Sequence, residues 1–148
     1  MDAEKEIISR STKRRGNVVL RRWKDILFIG GHGPEDEVTG DPFYVGHLGS
    51  ALSVEDGYKA AQICGEILLS AMDEYLGSLD RIDYILKAFA LVSSEPNFYD
   101  QEKVMDGFSD FMVKILGDRG LHARSVMGTS NLPGNIPIEI ELIVKIKE

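Results

Sequence analysis

Ile82-Asp83-Tyr84-Ile85-Leu86-Lys87-Ala88-Phe89-Ala90-Leu91-Val92 sets the architecture of this chain. Ile82, Tyr84, Leu86, Ala88 and Ala90 share one parity of an extended strand, and Ile85, Phe89 and Leu91 lie on the other. Alternate side chains of a strand point to opposite faces, so a run that is apolar on both parities asks for cover on both sides.

The flanking sequence supplies that cover only in part. Upstream, Val18–Trp23 and Ile26–Ile29 read as two strands joined at Lys24-Asp25 as a hairpin, and Gly30-Gly31-His32-Gly33-Pro34 ends the second. Glu35 to Asp41 reads as an acidic loop, and Phe43-Tyr44-Val45 as a short added strand. Ser53 and Asp56 have the spacing of a helix-starting cap. Val54, Tyr58, Ala61, Cys64, Leu68, Ala71, Met72 and Tyr75 then recur at helical intervals up to Gly77. Downstream, a second helix is predicted over Tyr99–Leu116 with Gln101, Met105, Phe108, Met112 and Ile115 in line. Two further strands follow, over His122–Gly128 and Ile136–Ile146, separated by the turn Asn131-Leu132-Pro133-Gly134-Asn135. The order is strand, strand, helix, strand, helix, strand, strand. Two helices cover one face of one sheet. The simplest cover for the other face is a second copy, so an oligomer is expected.

The 148 residues fit one domain: a polar arm over residues 1–15 and a single domain over 16–148. A chain of this length buries roughly two-thirds of its unfolded surface and needs no disulfide or metal to fold. The single cysteine, Cys64, forms no internal disulfide and fits a reducing cytoplasm. The N-terminus has no apolar stretch of signal-peptide length, and no run approaches the roughly 20 residues of a membrane span. The net charge of −7 argues against a general affinity for nucleic acid or anionic membrane. The basic segment Lys13-Arg14-Arg15 reads most simply as a solvated arm.

Few residues carry chemistry. His32, His47 and His122 lack metal spacing and Cys64 has no partner cysteine, so no metal is expected. Gly31-His32-Gly33 lacks the third glycine or lysine of a phosphate cradle, and Glu35, Asp36 and Glu37 would repel an anion. Cys64, inside the apolar stripe, reads as a small buried hydrophobe. Arg124 is a cation within a strand; facing a cleft, its guanidinium would clamp a carboxylate, and facing outward it would join a rim salt bridge. Glu139 and Glu141 share one face of the last strand, either as a solvated face or with one carboxylate beside a ligand, orienting water or exchanging a proton.

Ala123-Arg124-Ser125, Leu132-Pro133 and Ile138-Glu139-Ile140-Glu141-Leu142-Ile143 together resemble the signature of the RidA/YjgF family, also called the L-PSP endoribonuclease family. Gly30-Gly31-His32-Gly33-Pro34 resembles its first glycine loop, and Leu48-Gly49 with Leu52–Tyr58 looks closest to a divergent subgroup of uncertain function. The resemblance implies an α+β, chorismate-mutase-like fold with a ferredoxin-like β-α-β arrangement. Its mixed sheet is covered on one face by two helices, and three copies close a barrel-like core with ligand clefts between them. It implies hydrolysis of reactive imines and enamines to a 2-oxo acid and ammonia, without metal or organic cofactor. It places carboxylate binding on Arg124, the carboxylate beside the attacking water on Glu139, and backbone contacts on Gly31 and Val126. Asn17 stands where active deaminases carry a tyrosine, and Met105 where they carry an asparagine. Both departures remove groups that orient substrate.

Three functions follow as expectations: a cytoplasmic homotrimer hydrolysing imines, a non-catalytic module binding a small carboxylate-bearing metabolite in the same cleft, and an endoribonuclease. The charge and the lack of an aromatic-basic patch count against the last.

Overall fold

The computed structural model describes residues 19–148. The expected arm and Asn17 lie outside the described residues. The element order follows the sequence reading: β1 (Leu20–Trp23), β2 (Ile26–His32), α1 (Val54–Leu76), β3 (Ile82–Ser93), α2 (Gln101–Leu116), β4 (Ala123–Thr129) and β5 (Ile138–Ile146). Lys24 takes a left-handed conformation (φ 54°) in the two-residue turn between β1 and β2.

The sheet is mixed, in the order β1-β2-β5-β3-β4. Only β3 and β4 run parallel, as their helical crossover through α2 requires. β5 slots between β2 and β3, antiparallel to both. This is the α+β arrangement expected.

α1 starts at a capping box. Ser53 Oγ accepts from the Asp56 N–H at 3.1 Å, and Asp56 Oδ2 accepts from the Ser53 N–H at 2.9 Å. It ends at Gly77 (φ 80°), whose N–H reaches the Asp73 carbonyl. Ala61, Cys64, Leu68, Ala71 and Met72 are buried as the stripe requires, whereas Val54, Tyr58 and Tyr75 stay partly exposed and Leu76 closes the face. α2 begins at Gln101, leaving Tyr99 83% exposed. Met105, Phe108 and Met112 are buried, each contributing about 1.5–3 kcal/mol. Ile115, expected on this line, is exposed; Leu116 takes the buried place one position on. The helices meet closely at Gly107, where a Cβ would run into the Tyr58 backbone.

Both helices pack on one face of the sheet, against Leu27, Ile29, Ile85, Ala88, Ala90, Val92, Ile138, Ile140, Leu142 and Val144. The parity expected for β3 needs correction. Irregularities between Ile82 and Tyr84, and between Ile85 and Lys87, each shift the alternation. Ile82 and Ile85 therefore join Ala88, Ala90 and Val92 under the helices, and Tyr84 turns outward. The opposite face carries Phe28, Phe89, Leu91, Met127 and Ile143, with none of the described residues packed over it; Phe28 is 47% and Met127 55% exposed. The described residues thus supply no cover on that face.

Phe43-Tyr44-Val45 forms no strand. Isolated bridges pin this long connection instead, at Glu35 to Pro42 and at Leu48 to Leu52 and Ser94. The fully buried Leu48 anchors it under α1, so the packing of one leucine does what strand pairing was expected to do.

Candidate functional site

Arg124 sits on the edge strand β4 in register with Ala88, a core residue, so its side chain leaves the sheet on the helix side. There it meets α2. Glu102, Asp106 and Ser109 are spaced four and three residues apart and form one rail along that helix. Arg124 Nη2 donates to Glu102 Oε2 at 2.6 Å and to Asp106 Oδ1 at 2.8 Å; Nη1 donates to Ser109 Oγ at 2.9 Å. Burial alone would lower the guanidinium pKa; the bonds to Asp106 and Glu102 outweigh it and raise the value.

The chain of hydrogen bonds continues beyond Ser109. Its Oγ lies 2.9 Å from His122 Nε2, and His122 Nδ1 lies 2.6 Å from the Gly120 carbonyl. A carbonyl only accepts, so Nδ1 carries the proton; Nε2 then accepts from the Ser109 hydroxyl, which itself accepts from Arg124. A neutral His122 thus finds a partner for both ring nitrogens. Its pKa is lowered, first by burial and then by the Arg124 charge, against the opposing Gly120 bond. Phe108 packs edge-on against the ring at 5.4 Å.

Glu139 occupies the other side of the sheet. Its neighbours Ile138 and Ile140 face the helices, so it points to the uncovered face, in register with Leu91. It lies over Gly31: a Cβ there would come within 2.7 Å of Glu139 Cδ and closer still to Oε1. The fold thus brings Gly31 and Glu139 together on one face. Arg124 and Val126 share the other, where Val126 packs against the core. It does not bring Arg124 and Glu139 together within one chain.

Met105 is fully buried and presents no polar group to any site. His32 holds the Gly30 carbonyl at 2.6 Å. Cys64 is buried, and burial followed by the charges of Glu139 and Glu35 pushes its thiol pKa far up, so it is no nucleophile at neutral pH. Among the described residues no group of three metal-ligating side chains converges, and no helix is long and apolar enough to cross a membrane. A shallow depression of about 360 Å³ opens on the uncovered face, lined by Lys87, Phe89, Glu141, Leu142 and Ile143.

Glu102, Asp106 and Ser109 were not among the residues singled out from sequence. Their spacing on one helix face was readable, but polar residues so spaced ordinarily describe a solvated face. Only the docking of β4 beside α2 turns them into ligands of Arg124.

The family model described as YjgF/chorismate mutase-like, putative endoribonuclease, matches residues 27–145. The chain belongs to this family. Protein TCP17 of Trypanosoma cruzi is 34% identical over 121 residues, which span 81% of this chain and 74% of that protein. The crystal structure of Atu1372 from Agrobacterium tumefaciens, a protein of unknown function, is 30% identical with a TM-score of 0.86, covering 89% of this chain and 82% of its own. The structure of E. coli TdcF with bound serine shares the fold at 18% identity and a TM-score of 0.66, covering 97% of this chain and 98% of its own. The YjgF assignment bears out the resemblance read from the Arg124 and Glu139 segments, together with the α+β fold of a mixed sheet and two helices that it implied.

Proposed function

We propose that this YjgF-family chain works as a cytoplasmic homotrimer that binds a small carboxylate-bearing metabolite at the seams between copies and hydrolyses a reactive imine or enamine there. The observation that carries the reading is the separation of Arg124 and Glu139 onto opposite faces of one sheet. Two such groups act on one small molecule only when different copies supply them. Arg124 holds the ligand carboxylate. Glu102 and Asp106 add a second demand: with two carboxylates on one guanidinium, the rail is net negative before any ligand arrives. A plain carboxylate must displace one of them, whereas a ligand that also carries a protonated nitrogen gives the released carboxylate a partner. A protonated 2-imino acid has both charges, as does the serine bound to the TdcF relative. Glu139 of the adjoining copy then positions water for attack on the C=N carbon; the C–N bond breaks and ammonia leaves, giving a 2-oxo acid. Gly31 supports that carboxylate, and Val126 borders the ligand.

The test is 2-oxo acid release from freshly generated 2-aminoacrylate or 2-iminobutyrate by the wild type and Arg124→Ala. A wild-type rate above the spontaneous one, lost in the variant, is expected. A wild-type rate equal to the spontaneous one removes the enzymatic reading.

A second reading, a ligand-binding module without turnover, is favoured by Met105, whose side chain is committed to the core and orients no substrate. It predicts thermal stabilisation by small amino or oxo acids that Arg124→Ala abolishes, with no product.

A further inference from the structure

The uncovered sheet face is largely apolar, yet charges stand in it: Arg21, Lys87, Glu139, Glu141 and Lys145. Lys87 projects from β3 and Glu141 from β5, at diagonal positions: Lys87 registers with Ile143, and Phe89 with Glu141. They line the same depression with Phe89 and Ile143 between and beside them. Such neighbours would be expected to pair, yet no ion pair joins them among the described residues. Lys87 leans the other way, toward β4, and donates to Ser125 Oγ at 3.1 Å. Glu141 stays exposed on the β5 side. Arg21 and Lys145 also lie on this face; Lys145 is already held by Asp83 at 3.1 Å and Asp25 at 3.3 Å, so it does not serve Glu141.

A face built this way constrains its occupant. Phe28, Phe89, Leu91, Ile143 and Met127 favour removal from water. Removing an ammonium and a carboxylate with them is costly unless each finds an opposite charge. A wholly apolar partner would strand both. A second copy of this chain carries the needed complement by construction, since the same patch holds one charge of each sign, and rotation about a symmetry axis sets one copy's ammonium against the next copy's carboxylate.

We propose that Lys87 of one copy pairs with Glu141 of the next, and that this ring of charge pairs fixes the register in which the sheet faces assemble. The inference rests on the proposed three-copy assembly and adds the residues that specify it. It also explains why the two side chains diverge within one chain: Glu141 stays open, and the Lys87 ammonium, which gives one bond to Ser125, keeps donors for a partner from outside.

The experiment is sedimentation equilibrium on the full chain, with circular dichroism confirming the fold of each variant. The wild type is expected to run as a trimer. Lys87→Glu and Glu141→Lys each leave two like charges facing across the seam, and should weaken association on the order of a hundredfold. The double variant Lys87→Glu with Glu141→Lys restores opposite signs and should return association to about the wild-type level. Should a reversed charge unfold the chain, Lys87→Gln and Glu141→Gln replace it: each alone strands one charge and weakens assembly, and the pair together recovers. A monomeric wild type overturns the assembly reading itself. A trimeric wild type whose single variants associate equally well, or whose double variant is no better than the singles, overturns the charge-pair inference alone.

Discussion

Gly31 lies directly beneath the Glu139 side chain, so the glycine loop after β2 and the carboxylate of β5 form one unit. A methyl at Gly31 would overlap Glu139 Cγ and Cδ, at 2.8 and 2.7 Å, as well as the carboxylate. The obstructing atoms belong to a side chain that can swing aside. Gly31→Ala should therefore cost only about 1 kcal/mol in urea unfolding while displacing the carboxylate. The double variant Gly31→Ala with Glu139→Ala should show less than the summed loss of the singles, because the methyl then meets no carboxylate. If Glu139 positions water, Gly31→Ala lowers kcat far more than its stability loss explains.

Gly107 makes the opposite case. A Cβ there meets the Tyr58 carbonyl and its backbone, which cannot rotate away. Gly107→Ala must push α1 and α2 apart and should cost about 3 kcal/mol, read as a shifted urea midpoint with unchanged slope.

The Arg124 rail yields a prediction about ligand class. Glu102→Gln with Asp106→Asn removes both carboxylates from the guanidinium and keeps hydrogen-bonding shapes. Plain monocarboxylates should then bind several-fold more tightly, having no carboxylate to displace, and zwitterionic amino acids more weakly. Isothermal titration with propionate and with serine separates the two. Arg124→Ala should cost about 1 kcal/mol at low salt, less at high salt, since it leaves two exposed like charges one helical turn apart.

Much of this was legible in the sequence. The last strand alternates cleanly, Ile138 to Ile146 against Glu139 to Lys145, and the buried face is the one that alternation picks out. α1 was visible because cap, stripe and terminal glycine agree. β3 was misread in detail because two irregularities change its phase, and a strict period-2 reading does not anticipate such bulges. Arg124 was found as a cation in a strand, but its carboxylate partners lie on a helix 18 and 22 positions upstream, a contact that no local period encodes. The loop at Phe43 was misread because β-propensity was present without a strand to pair with.

His122 supplies the last prediction. In the fold it accepts from Ser109 and is neutral, with its pKa lowered by burial and by Arg124. In the unfolded chain it returns to its ordinary value near 6.5. Below that value the unfolded state binds a proton that the folded state resists, so stability falls with pH across the window from about 6.5 down to the lowered folded value. Above it both states are neutral and the contribution is flat. Protonation would also set Nε2–H against a Ser109 oxygen already occupied by Arg124, putting two cations on one hydroxyl. His122→Gln removes this titration. In urea unfolding at pH 7.5 and about pH 5.5, the wild type should therefore lose more stability than the variant, narrowing the gap between them. Parallel losses in the two proteins would show that His122 titrates alike in both states and that the Ser109 bond does not hold its neutral form.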